Sequence, residues 1–285
     1  MPTFHTPEPI SVTIDLAIAV GDVRIVASER TDTVVEVYPS DACSRSDVKA
    51  AEQVLVDYTD GTLLVKASKP WYDQYSLFDH GGAVEVKVEL PAGSHVRGQA
   101  AQGGFRCAGR LGECRFKTYY GDIRLDETGP LHLATGSGEI SVDHVAGSAE
   151  VTNGSGKVRL REIDGAAVIK NSNGDSRLGT ITGNLHINSA NGDIDVDEAH
   201  ADVEAKTANG SIRIAEIIRG SVVVETASGE VEIGIREGTS AWLDVSSVSG
   251  TVRNSLDATD GPDDFGATVE MHARTYDGDI LIHRS

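Results

Sequence analysis

The chain has 285 residues, 39% of them hydrophobic but only 5% aromatic, so a packed interior has to be built from Val, Ile, Leu and Ala. Its 44 acidic and 25 basic residues leave a formal charge of −19. Such a surface repels phosphate backbones and anionic headgroups, which excludes nucleic acid and bare membrane as natural partners, and no window approaches the 18 apolar residues of a helix that inserts in a bilayer.

The opening segment, MPTFHTPEPISVTIDL, has neither a basic start nor a long apolar stretch. The expectation is a chain without a secretory signal that resides in the cytoplasm. Residues 10–117 read as β-rich but irregular. AVGDVRIVA around Gly21, DGTLLVKA around Gly61 and AVEVKVELPAG ending at Gly93 each alternate apolar and polar residues, as a strand with one buried face does. Residues 41–56 (DACSRSDVKAAEQVLV) hold the one plausible helix, a short one placed to cap the open end of the strands.

KPWYDQYSLFDH then departs from its surroundings. Trp71, Tyr72, Tyr75 and Phe78 are four of only 14 aromatic residues in the chain, within eight positions. Clustered aromatics in a loop supply apolar contact area and are enriched where partners bind. These four are the candidate partner-binding residues, and a homodimer is the simplest contact they would make. Cys43, Cys107 and Cys114 are the only cysteines, and an odd number without a signal fits free thiols in a reducing compartment. Cys107 and Cys114 are spaced to become neighbours on adjacent coils, but two ligands do not make a zinc site.

From Gly121 onward the sequence repeats. TYYGDIRL, TGSGEISV, NGSGKVRL, NSNGDSRL, SANGDIDV, TANGSIRI, TASGEVEI, SVSGTVRN and TYDGDILI carry glycines at 121, 138, 156, 174, 192, 210, 229, 250 and 278, with spacings of 17, 18, 18, 18, 18, 19, 21 and 28. A second glycine series (129, 147, 165, 183, 220, 238) falls halfway between, so a repeat of about 18 residues contains two strands, each led by glycine. Apolar residues stand two and four positions after each glycine, as in Ile194/Val196 and Leu185/Ile187. A further one stands seven after the first glycine (Val145, Ile163, Ile181, Ile217). The same residue class recurring every 18 positions is what parallel stacking of like on like requires. The fold class that follows is all-β, a right-handed parallel β-solenoid (a single-stranded β-helix). Apolar gaps of 2, 3, 4 and 2 do not suit the three-sided hexapeptide helix, which needs gaps of six, and a flattened, mainly two-sheet cross-section is expected. One solenoid domain over 1–285 is the simplest division, with irregular coils in 1–117, regular coils in 118–254 and an acidic loop with terminal strands in 255–285.

Polar residues mark the bend before each first glycine. Thr118, Thr135, Asn153, Asn171, Ser189, Thr207, Thr226, Ser247 and Thr275 lie three positions ahead, and Asn173, Asn191 and Asn209 are among those one position ahead. Stacked side chains of this kind are expected to hydrogen-bond along the solenoid and to the turn backbone.

These features resemble the bacterial "putative adhesin" family of β-strand-repeat proteins, a family of unknown biochemical function. The resemblance rests on the early GDVRI strand, DGTLLV, VEVKVELPAG leading into the repeats, the run of xSGxIxV units and the terminal HARTYDGDILI. It covers nearly the whole chain, and it implies a β-solenoid with no catalytic residues to carry over.

The chain carries no recognisable catalytic constellation. Asp122, Glu139, Asp175, Asp193 and Glu230 occupy one repeat position, beside Arg124, Arg159, Arg177 and Arg213 two residues along. That is a charge-mixed strand face rather than the isolated carboxylate pair of a glycosidase. SANGDIDVD approaches the calcium β-roll repeat but lacks its doubled glycines. Asp257, Asp260, Asp263 and Asp264 lack the register of a calcium loop, and the nine histidines do not cluster at ligand spacing. No catalytic residue, metal or cofactor is therefore expected. The reading is a non-catalytic structural or protein-interaction scaffold. The alternative is a carbohydrate-binding or carbohydrate-cleaving surface protein.

Overall fold

A computed structural model describes residues 2–67, 82–256 and 267–285. Most of the described strands are parallel and stacked in coils, as the 18-residue period requires. The chain divides into two compact units, Met1–Val142 and Asp143–Ser285.

In the first unit the strand Ser11–Ser28 makes a whole coil by itself. Its first half pairs in parallel with Thr62–Ala67 on one side and His95–Gln102 on the other. Its second half lies between Ala83–Pro91 and Phe105–Arg110 in the same way. Cys114–Tyr120 stacks on His95–Gln102, and Ile123–Thr128 on Phe105–Arg110. The far side is closed by antiparallel strands: Val54–Thr59 on Thr62–Ala67, Asp32–Pro39 on Ala83–Pro91, and Thr3–His5 on Asp32–Pro39. The expected helix forms at Arg45–Glu52, with Asp47 N–H donating to the Ser44 hydroxyl at its start. It lies beside the strands Asp32–Pro39 and Ala83–Pro91 and buries none of its own residues. Phe105 and Phe116 fill the interior with ring centroids 4.7 Å apart.

In the second unit the register advances by 18 residues per coil. Ala149 faces Ala167 and Ala167 faces Leu185, while on the other side Val158 faces Ser176 and Ser176 faces Ile194. The apolar residues picked out by the repeat line the interior. Val158, Leu160, Ile163, Ile181, Leu185, Ile187, Ile194, Val196, Ile212, Ile214 and Ile217 are all buried. Ser176 takes one of these apolar positions and receives a hydrogen bond from Asn171 Nδ2.

Stacking departs from sequence order at the end of this unit. Thr268–Asp277 pairs with Gly220–Ser228 on one side and with Ser240–Ser249 on the other. Ile280–Arg284 likewise lies between Val231–Ile235 and Val252–Asn254. The terminal strands therefore insert between two coils instead of adding a last one. Burial explains the choice: Val269, Met271, Ala273, Ile280 and Ile282 are all buried. Ser240–Ser249 offers Ala241, Leu243 and Val245 to the interior side, all only half-buried, and suits an outermost position.

Candidate functional site

The bend before each first glycine carries polar side chains, and many of them hydrogen-bond from coil to coil. Three positions before the first glycine, a hydroxyl donates to the glycine carbonyl of the adjacent coil. Examples are Thr118 to Gly103 at 3.1 Å, Thr226 to Gly210 at 3.0 Å, Thr275 to Gly229 at 3.2 Å and Ser247 to Gly278 at 2.9 Å. One position before the glycine runs an exposed asparagine ladder. Asn191 Nδ2 donates to Asn173 Oδ1, and Asn209 Nδ2 donates to Asn191 Oδ1, each at 2.9 Å.

The carboxylates one position after the glycine are also structural. Asp22, Asp122, Asp193 and Asp279 accept the backbone N–H of Gly104, Glu139, Ser211 and Thr251 on the neighbouring coil, at 2.8 to 2.9 Å. In the second unit this outward face forms a shallow groove of about 270 Å³. Ion pairs cross it between Lys157 and Asp175, Arg177 and Asp195, and Arg213 and Glu232, at 3.4 to 3.7 Å. These pairs mix the two charge signs along the groove.

The second bend is different. Glu162 and Asp164 close one coil and His144 closes the coil before it, and their ligating atoms all lie within 4.8 Å of one another. His144 Nε2 stands 2.9 Å from Asp164 Oδ2, and Asp164 N–H donates to the Val145 carbonyl at 2.9 Å. Two coils further on, Glu198, His200 and Glu216 make a second set of one imidazole and two carboxylates. There Arg236 bridges the acids, with Nε 2.7 Å from Glu216 and Nη2 3.1 Å from Glu198. His200 stands 2.9 Å from Glu198. The Arg236 guanidinium holds the Glu216 carboxyl below the ordinary value for glutamate. The spacing of histidines along the sequence overlooks both groups. Counting carboxylates at the 18-residue offset from each histidine finds the first, since 144 and 162 differ by one coil.

Exposed apolar residues gather on the outermost coil of the second unit. Trp242 is 57% exposed and Val248 74%, and Tyr276 on the adjoining strand is 65% exposed. The Trp242 ring meets His272 edge-on at 5.4 Å, and His272 Nδ1 stands 3.1 Å from Asp244. Leu243 and Val245, at core positions of this coil, are only half-buried.

Trp71, Tyr72, Tyr75 and Phe78, the partner-binding candidates of the sequence, lie outside the described residues, as do Asp257, Asp260, Asp263 and Asp264. Cys107 and Cys114 are buried free thiols and Cys43 an exposed one. Burial pushes the Cys107 thiol far up and that of Cys114 to about 11, so both stay protonated and unreactive at neutral pH.

No helix among the described residues is long and apolar enough to cross a membrane. Comparison with curated proteins finds no match. Among solved structures the chain is similar to a "putative adhesin" from Bacteroides fragilis, at 13% identity over 100% of this chain and 95% of that one, with a TM-score of 0.39. It is also similar to a "putative cell adhesion protein" from Clostridium sporogenes, at 10% identity over 100% and 98% with a TM-score of 0.27. A third is a "putative lipid binding protein" from Parabacteroides distasonis, at 12% over 100% and 95% with a TM-score of 0.33. The family model described as Toastrack DUF4097 matches residues 12–216, most of the coils described above. The chain belongs to the Toastrack DUF4097 family of β-solenoid proteins.

Proposed function

We propose that this protein is a non-catalytic interaction scaffold that presents the outermost coil of its second unit to a protein partner. The observation that supports this reading is the contrast between that coil and the rest of the unit. Elsewhere in the unit the interior apolar positions of the strands are buried. Here Trp242, Val248 and Val252 are exposed, and among the described residues Ser240–Ser249 and Val252–Asn254 each pair with a strand on one side only. An edge with a free row of backbone N–H and C=O groups, beside an ordered Trp ring, suits addition of a strand from another chain. The excess of negative charge favours a partner with a basic face. The aromatic cluster Trp71, Tyr72, Tyr75 and Phe78 is a second contact of the same kind.

Sedimentation velocity over a range of concentrations tests this with three chains: wild type, Trp242→Ala/Val248→Ser, and Trp71→Ala/Tyr75→Ala/Phe78→Ala. The expected result is a wild-type association that at least one variant loses. A monomer at every concentration, together with retention of wild type on a glycan array, would replace the scaffold with the carbohydrate-binding alternative.

A further inference from the structure

The two groups at the second bend have the same chemistry and different neighbours. Glu198, His200 and Glu216 have their negative charge answered by Arg236, which reaches both carboxylates. His144, Glu162 and Asp164 also hold two carboxylates, with ligating atoms within 4.8 Å, yet among the described residues no Lys or Arg forms an ion pair with either. The nearby Arg161 is directed to Asp143 instead, at 3.8 Å. Two carboxylates at this separation repel one another, and a positive charge placed between them lowers that cost. A guanidinium does this in one group, and in the other the imidazole leaves room for an ion.

We propose that His144, Glu162 and Asp164 bind a divalent cation of the zinc class and so join two adjacent coils. One imidazole nitrogen and two carboxylate oxygens are a borderline donor set that suits Zn2+ better than the all-oxygen sets of Ca2+ and Mg2+. Bond lengths of about 2.0–2.2 Å place tetrahedral ligand atoms roughly 3.4 Å apart. The existing spread, within 4.8 Å, closes by rotation of Glu162, which is exposed and makes no hydrogen bond among the described residues. The ion takes the place of the proton now shared between His144 Nε2 and Asp164 Oδ2. Three protein ligands leave a fourth position to water. The ligands come from successive coils, so binding resists separation of those coils.

The test uses the full chain without an affinity tag, freed of metal with a chelator, and melted with and without zinc chloride. Wild type is expected to gain about 3 °C or more at zinc well above its dissociation constant, and His144→Ala and Asp164→Asn to show no gain. Where His144→Ala does not fold, Glu162→Gln serves, since that side chain supports nothing else. Cobalt added in place of zinc gives visible absorption bands in wild type that disappear in the variants. His200→Ala retains the zinc response. Absence of a wild-type gain, or an equal gain in His144→Ala and Glu162→Gln, overturns the proposal.

Discussion

Gly192 shows why a repeat led by glycine is a physical necessity. Its φ of +134° is one that side chains avoid, and a Cβ there would lie 2.3 Å from the carbonyl oxygen of Gly174. Backbone of the neighbouring coil fills the space. Gly192→Ala is therefore expected to cost about 3 kcal/mol or more, since strain and displacement of a stacked carbonyl add. Gly238 is a control, with φ +77° and nothing within 4 Å of the added carbon, so Gly238→Ala should cost about 1 kcal/mol. Urea denaturation of the two variants compares them, and equal losses would contradict the stacking argument. The glycine row was legible in the sequence because period alone reveals it. The division of labour at the bend was not. Sequence marks positions 171 and 173 alike as polar, whereas Asn171 is buried against glycine carbonyls and Asn173 is an exposed rung of the ladder.

Among elements, the second bend and the strand Val203–Asn209 both contribute to the pH response. Arg236 holds Glu216 below its ordinary value, with the Ser285 hydroxyl assisting. Lys206 and then His186 do the same for Glu204. A carboxyl whose folded value is depressed adds stability that is complete above its unfolded value, about 4.3 for glutamate, and lost as pH falls through the folded value. Wild type should thus keep its melting temperature down to about pH 5 and lose it below pH 4. Arg236→Ala should melt lower at pH 7 and approach wild type near pH 3. Thermal melts from pH 7 to 3 check this, and parallel curves for the two chains would show that Arg236 contributes nothing through charge. Arg236 reaches Glu198 across 38 residues. The period fixes which coils are neighbours, but where a long side chain turns at a bend depends on the irregular coil that follows Gly229.

At the scale of the whole molecule, an early strand and the last strand pair are each interior to their units. Ser11–Ser28 lies between later coils in the first unit, and Thr268–Arg284 between earlier ones in the second. The sequence signalled the second departure through glycine spacings of 21 and 28. It gave no direct sign of which coil moved inward, because strand order along a solenoid is set by relative burial. Comparison of the two candidates does carry the answer: Thr268–Asp277 has three buried apolar residues and Ser240–Ser249 none. A chain ending at Leu256 should therefore expose Val222, Val224, Val231 and Ile233. Its melting temperature should fall by at least about 10 °C and it should aggregate on size-exclusion chromatography. A truncated chain as stable and monodisperse as the full one would mean that Ser240–Ser249 can take the inner place.

The inserted terminal strands also set a timetable. A solenoid whose coils stack in sequence order can grow on the ribosome, each coil settling on the one before it as it emerges. Here residues 240–254 are synthesised before the strands that separate them from residues 220–235. That coil must wait, or dock on the wrong neighbour and be displaced, until residues 268–284 have emerged and can slide between the two. Completion of the second unit thus waits on residues 268–284, and that strand pair is the piece that commits it.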